Sequence, residues 1–189
     1  MVKKMLFIVD PQNDFINGSL AVEGAEGSMI DLARHIERHA DEYELVGISF
    51  DYHPVDHCSF KENKGIWPSH CVQHTVGSAL YPLLFDALKE AKNGFYLPFT
   101  KGERQGVEEY SFMDKESNVE FLKTMLEEHD ITEIDFCGIA LNYCVSSSIK
   151  GVLEKVPNVK INLLTKFSPA IGDPQPTLDE LVALGVNVI

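Results

Sequence analysis

The most constraining feature of this 189-residue sequence is a regular alternation between short apolar segments and longer amphipathic segments. The apolar segments have the length and β-branched content of buried strands. They are residues 5–9, 45–50, 95–99, 134–138, 159–164 and 186–189. Apolar residues recur at helical spacing in residues 29–39, 79–91, 119–129, 145–155 and 178–183. This alternation predicts an α/β fold, a doubly wound, mostly parallel six-stranded sheet with helices on both faces.

No feature of the sequence divides the chain or directs it to a membrane. There is no internal repeat, low-complexity segment or Pro/Gly-rich linker, so we expect residues 1–189 to form a single domain. No apolar run approaches the roughly 20 residues needed to cross a bilayer. The run at residues 5–9 is too short for a secretory signal. We therefore expect a cytoplasmic protein whose four cysteines, none in a C-x-x-C pair, are reduced.

The charge balance restricts the partners. Sixteen Lys and Arg residues against 29 Asp and Glu residues give a formal net charge of −13. Such a surface repels phosphate backbones and anionic lipids, so we expect neither a nucleic acid nor a membrane as partner. A neutral small molecule suits it better than a polyanion. The number of subunits is left open, and the sequence is compatible with a homo-oligomer.

Residues 51–78 lack clear periodicity but are rich in metal-ligating side chains. Asp51 and His53 are two residues apart, so in an extended segment they project to the same side and can bind one ion. A third ligand would come from the rest of the loop, which offers His57, Glu62, His70 and His74. Oxygen and nitrogen ligands without thiolate suit zinc, iron or manganese. The same spacing also occurs by chance in polar surface loops.

Cys144 is the candidate nucleophile. It follows the strand predicted for residues 134–138 and precedes the helix predicted for residues 145–155. The dipole and unpaired N–H groups of a helix N-terminus favour a thiolate and can stabilise an oxyanion. The alternative is a buried structural cysteine, which we expect for Cys137 inside the strand.

Polar residues follow several of the predicted strands directly. Asp10 follows the first strand, Asp51 the second and Lys101 the third, while Cys144 comes shortly after the fourth. In open α/β sheets, ligands bind beyond the carboxyl ends of strands, so these segments are expected to converge on one edge. Asp10 would then relay the thiol proton while Lys101 favours the charged carboxylate and thiolate. Taken singly, a turn cap and a solvated lysine are the ordinary interpretations.

Six segments of the chain carry motifs that can be compared with known families. They are VDPQNDF at 9–15, DYHP at 51–54, WPSHC at 67–71, TKG at 100–102, YSF at 110–112 and GIALNYCV at 138–145. In this order they resemble the nicotinamidase/pyrazinamidase branch of the isochorismatase-like cysteine hydrolases. The resemblance spans nearly the whole chain.

The resemblance implies the chemical parts of an active site. The catalytic triad would be Asp10, Lys101 and Cys144. One divalent metal, with zinc expected and iron or manganese as alternatives, would be held by Asp51, His53 and His70. The flat rings of Phe15 and Trp67 would sandwich a pyridine ring. A cis peptide bond is implied between Ile139 and Ala140, and the N–H groups of Ala140 and Cys144 would form the oxyanion hole.

The activity implied is hydrolysis of nicotinamide to nicotinate and ammonia, and of pyrazinamide in the same way, through a cysteine thioester in NAD salvage. One alternative is another amidase of the superfamily, acting on N-carbamoyl or maleamate-type amides. A second is a catalytically silent binding protein with this fold. An isochorismatase is disfavoured because that branch typically lacks the nucleophilic cysteine.

The chain departs from the family pattern in three places. Asn142 stands where many members carry Asp or Glu. Some relatives use a fourth metal ligand, for which His57 and Glu62 are both candidates, and the HCSF context favours a loop-ordering role for His57. Residues 168–189 resemble no motif of the family.

Overall fold

The structure, a computed structural model, describes residues 2–89 and 96–189. Its centre is a six-stranded sheet in the order β3-β2-β1-β4-β5-β6, in which every neighbouring pair is parallel. The strands are β1 (Lys4–Val9), β2 (Tyr43–Asp51), β3 (Leu97–Lys101), β4 (Glu133–Gly138), β5 (Lys160–Leu163) and β6 (Asn187–Val188). The predicted α/β class and strand number are confirmed.

Helices follow the strands along the chain. Those in the described residues are α1 (Asn13–Ile16), α2 (Ala25–His39), α3 (Pro82–Lys89), α4 (Glu116–Glu128), α5 (Ser146–Lys155) and α6 (Gln175–Ala183). The five predicted helices correspond to α2 to α6. Helix α2 begins four residues before its predicted start. The prediction missed the first turn because that turn has little apolar periodicity. The ends predicted at residues 91 and 95 lie outside the described residues.

Side chains of β1 alternate between two hydrophobic cores. Met5, Phe7 and Val9 pack in the core that includes residues of α4, α5 and α6. Leu6 and Ile8 pack in the core that includes residues of α2 and α3. All five side chains are fully buried. Because successive residues of a strand point to opposite faces, the central strand is covered on both sides, as predicted.

The order of the strands creates a crevice beside β1. From β1 the chain moves outward through β2 to β3, and it then returns to place β4 on the other side of β1. Ligand sites of open α/β sheets form at such a switch, beyond the carboxyl ends of the strands. The register of the sheet pairs Asp51 with Lys101 at the ends of β2 and β3.

Two further expectations concern the cysteines and the membrane. All four cysteines are free, and Cys137 is fully buried in the core. Within residues 2–89 and 96–189, we find no helix with the length and apolar character needed to cross a membrane.

Candidate active site and metal centre

Asp10, Lys101 and Cys144 meet in the crevice at the carboxyl edge of the sheet. Lys101 Nζ lies 2.9 Å from Asp10 Oδ2 and 3.3 Å from Cys144 Sγ. The residues come from the end of β1, the end of β3 and a single π-helical turn, Leu141–Val145, that leads into α5. All three are at least 95% buried. The convergence expected from the strand ends is therefore present.

Asp10 is held in place by Ser49 of β2. The Asp10 N–H donates to the carbonyl oxygen of Ser49 at 3.1 Å, and Ser49 Oγ donates to Asp10 Oδ1 at 2.7 Å. This leaves Oδ2 facing Lys101. Asp10 has φ of 48°, a conformation that costs free energy in a non-glycine residue and is often found at functional sites. Our sequence reasoning missed Ser49, although a polar residue within a buried strand was the available signal.

Burial dominates the electrostatics of the triad. It raises the pKa of the Cys144 thiol well above its usual value, and the nearby Asp10 and Asp51 carboxylates add to this effect against the pull of Lys101. Burial likewise raises the pKa of Asp10, which Lys101 only partly opposes. Burial therefore favours the thiol form of Cys144 and opposes the effect expected from the helix N-terminus, which favours the thiolate.

Lys101 remains an ammonium in this buried position. Burial alone would lower its pKa, but the carboxylates of Asp10 and Asp51 raise the pKa well above its usual value. Lys101 Nζ also donates to Asp51 Oδ1, so one cation links the triad to the neighbouring cluster of metal-ligating side chains. Asp10, Asp51 and Cys144 also have ligand atoms close enough together to suggest a metal site. The Lys101 ammonium contacts all three residues, however, and its positive charge disfavours a metal ion there.

Asp51, His53 and His70 form a second buried cluster. Asp51 Oδ2 lies 3.5 Å from His53 Nε2 and 3.8 Å from His70 Nε2. One ligand atom from each residue lies within 4.8 Å of the other two. His53 Nδ1 donates to the Gly102 carbonyl at 2.9 Å, and His70 Nδ1 donates to the Pro68 carbonyl at 2.8 Å. Each Nε2 therefore presents a lone pair, the arrangement usual for metal-binding histidines.

The donor set of this cluster fits a divalent metal ion. The buried His53 Nε2 has no hydrogen-bond partner among the described residues. A buried polar atom without a partner costs free energy, and a cation at this position would remove that cost. A carboxylate and two imidazoles suit zinc, iron or manganese, and three protein ligands leave coordination positions open.

Gln12 and Gly102 position two residues of the cluster, Asp51 and His53. Gln12 Nε2 donates to the Asp51 carbonyl at 2.7 Å, and Gln12 Oε1 accepts from the Asp51 N–H at 2.8 Å. Gly102 has φ of 68°, and a Cβ there would lie 2.4 Å from His53 Cε1. Only glycine allows the imidazole to approach so closely. The sequence contains both residues in motifs that we singled out, but their positioning roles are visible only in the structure.

The other three ligand candidates, His57, Glu62 and the exposed His74, are not part of this cluster. Both ring nitrogens of His57 are used, since Nδ1 is 2.7 Å from Ser59 Oγ and Nε2 is 3.0 Å from the Val107 carbonyl. These contacts are those of a loop-ordering residue. Glu62 lies in an exposed 3₁₀ turn, Lys61–Asn63, and is not part of the cluster.

A cavity with several aromatic side chains lies over Cys144. Its lining consists of Phe15, Leu20, Val22, Asp51, Trp67, His70, Glu108, Tyr110, Ala140, Tyr143, Cys144 and Ile171. Trp67 Nε1 donates to the Tyr110 hydroxyl at 3.1 Å, and the Trp67 ring meets the Tyr143 ring edge-on at 5.1 Å. The structure thus brings the predicted Phe15, Trp67 and Ala140 into one cavity with Cys144. The peptide bond between Ile139 and Ala140 is cis, as the resemblance implied.

Comparison with known proteins identifies the family. No protein-family model matches the chain. The nicotinamidase of Escherichia coli is 33% identical over 184 residues, which cover 87% of this chain and 82% of that protein. This chain belongs to the nicotinamidase family. The family predicted from the motifs is confirmed.

Solved structures of the family share the fold. Pyrazinamidase of Pyrococcus horikoshii, in complex with zinc, superposes with a TM-score of 0.83 at 25% identity and covers 99% of this chain and 98% of that chain. Yeast nicotinamidase bound to the inhibitor nicotinaldehyde gives a TM-score of 0.85 at 26% identity, with 98% and 99% covered. The α/β fold of this chain extends over nearly the whole length of both structures.

Proposed function

We propose that this chain is a metal-dependent amidohydrolase that converts nicotinamide into nicotinate and ammonia, and pyrazinamide into the corresponding acid. The observation that carries the proposal is a buried Asp–Lys–Cys triad beside a buried Asp–His–His cluster, with Cys144, Asp51 and His70 lining one cavity that also has aromatic walls. The names of the E. coli and yeast relatives support the same substrate. We place the reaction in NAD salvage in the cytoplasm, with neither nucleic acid nor membrane as partner.

In the first half of the reaction, Asp10 accepts the proton of the Cys144 thiol. The raised pKa of Asp10 suits it to this exchange, because a stronger base takes a thiol proton more readily. The thiolate then attacks the amide carbon and forms a C–S bond. Lys101, 3.3 Å from Sγ, stabilises the developing negative charge. The backbone N–H groups of Ala140 and Cys144 are assigned to the oxyanion.

In the second half, the tetrahedral intermediate collapses and the C–N bond breaks. Asp10 returns its proton to the departing nitrogen, so ammonia leaves and a thioester remains on Cys144. Asp10 then accepts a proton from a water molecule that attacks the thioester carbon. The second tetrahedral oxyanion collapses and the C–S bond breaks, the proton on Asp10 returns to the sulfur, and the product leaves as the carboxylic acid, which loses its remaining proton to solvent to give nicotinate.

Substrate positioning is assigned to the metal cluster and the aromatic residues. Asp51, His53 and His70 would hold the metal, for which we propose zinc, the ion in the P. horikoshii structure. When bound, such an ion would supply a Lewis acid for the pyridine nitrogen and so help to fix the ring. Phe15 and Trp67 stack against the ring. N-carbamoyl and maleamate-type amides have no ring nitrogen to bind, and this favours nicotinamide over them.

Ammonia release by the purified protein tests the proposal. We expect release from nicotinamide, its loss with a chelator and its recovery when zinc is returned. Cys144→Ala should abolish turnover and keep the metal, whereas Cys58→Ala, a thiol outside the cavity, should keep full activity. Release from an N-carbamoyl amino acid or maleamate but not from nicotinamide would replace the proposal by the alternative amidase. No turnover of any amide would support a silent binding protein.

A further inference from the structure

Asn142 makes a two-way pairing with the backbone of Ile171. Its side-chain Nδ2 donates to the Ile171 carbonyl oxygen at 2.7 Å, and the Ile171 N–H donates to Asn142 Oδ1 at 3.0 Å. The two residues are 29 positions apart in sequence. The pairing joins the π-helical turn that carries Cys144 to the irregular segment between β5 and α6.

Ile171 is part of the wall of the substrate cavity. It lines the cavity together with Cys144 and Tyr143. The segment around it contains no strand or long helix that would fix its position, since residues 168–173 are irregular. A second link, from the Leu141 N–H to the Pro169 carbonyl at 2.9 Å, ties the same two segments together. Adjacent residues of the nucleophile turn thus hold the backbone that carries Ile171.

We infer that Asn142 is a positioning residue that fixes the Ile171 wall of the cavity relative to the nucleophile. This inference rests on the proposed function, since it concerns the site that binds the amide substrate. Asn142 itself is not among the residues that line the cavity. Its effect on the reaction is therefore transmitted through Ile171.

The chemistry of the pairing requires an amide side chain. The Ile171 backbone offers one donor and one acceptor, and the amide of Asn142 offers the complementary acceptor and donor. A carboxylate would keep the bond from the Ile171 N–H, but it has no donor for the carbonyl and would place a negative charge against that oxygen. The two-way pairing therefore depends on an amide at position 142.

Kinetics of four variants test the inference. They are Asn142→Asp, Ile171→Ala, the double variant and Asn158→Asp, which makes the same chemical change at an exposed site. Asn142→Asp loses the hydrogen bond to the Ile171 carbonyl, which should displace this wall of the cavity. We expect its KM for nicotinamide to rise about fivefold, with kcat within about twofold of the wild type. Ile171→Ala should also raise KM, while Asn158→Asp should change neither constant. Thermal unfolding of each variant shows whether it is folded.

The double variant separates action through Ile171 from a local effect on the nucleophile. If Asn142 acts through Ile171, the fold-increases in KM caused by the two substitutions should not multiply. The KM of the double variant should then be close to that of the more affected single variant. The rate at which iodoacetamide alkylates Cys144 should equal that of the wild type in Asn142→Asp.

Three results would overturn the inference. They are an unchanged KM in folded Asn142→Asp, fully multiplicative effects in the double variant, and a changed alkylation rate. Wild-type protein that does not hydrolyse nicotinamide would instead refute the proposed function, so the two failures are distinguishable.

Discussion

Replacement of Gly102 by alanine should damage the metal centre. The new Cβ would lie 2.4 Å from His53 Cε1 and 2.6 Å from His53 Nδ1. Ordinary contacts begin near 3.4 Å, so the imidazole must move by about 1 Å. That movement weakens the bond from Nδ1 to the Gly102 carbonyl, which orients the ring. Loss of such an orienting contact typically lowers metal affinity by about 10–100-fold.

The cost in stability has two parts. The φ of 68° places Gly102 in the left-handed region, where an alanine costs roughly 1–2 kcal/mol. Crowding against the buried His53 ring adds about 1–3 kcal/mol, as for overpacked cores. We therefore expect the free energy of unfolding to fall by about 3 kcal/mol in total.

Gly24→Ala is the matched control for this prediction. Gly24 has φ of 78°, but its added Cβ would meet nothing within 4 Å. It should therefore show the conformational cost alone, with unchanged metal affinity. Urea unfolding gives the stabilities, and competition with a chromogenic chelator gives the zinc affinities. If Gly102→Ala binds zinc as tightly as the wild type, or is no less stable than Gly24→Ala, the steric argument is wrong.

Three other substitutions test separate parts of the structure. His53→Ala should lose bound metal while the fold persists, and unchanged metal content by elemental analysis would refute the ligand assignment. Ser49→Ala removes the donor to Asp10 Oδ1 and should lower kcat/KM about tenfold; an unchanged value would show that Ser49 does not support Asp10. Burial opposes ionisation of Glu133, but hydrogen bonds from Asn162, Lys4 and Lys160 outweigh it and lower its pKa to about 2. This pKa in the folded state lies below that of Glu in the unfolded chain. The contribution of ionised Glu133 to the free energy of unfolding is therefore full above about pH 4.3 and is lost as pH falls toward 2. Glu133→Gln should therefore cost more stability at pH 7 than at pH 3, and an equal loss at both would contradict this.

The sequence by itself determined the fold and the main chemical groups. Periodicity is a local property, so strands and helices could be placed from neighbouring residues alone. Parallel strands end at one edge, so Asp10, Asp51 and Lys101 could be assigned to one crevice without any coordinates. The first residues of α2 and α4 could not be predicted from the sequence, because the first turns of these helices lack apolar periodicity.

Only the tertiary structure decided how those groups are used. The sequence offered four candidates for the third metal ligand. His70 differs from His57 because its Nε2 is free to bind a metal, whereas both ring nitrogens of His57 already have partners. Ser49 and Ile171 act through contacts with residues more than 25 positions away, for which no local pattern exists. The ionisation state of Cys144 depends on how completely the fold excludes water from the sulfur, and burial is a property of the packed chain rather than of any segment.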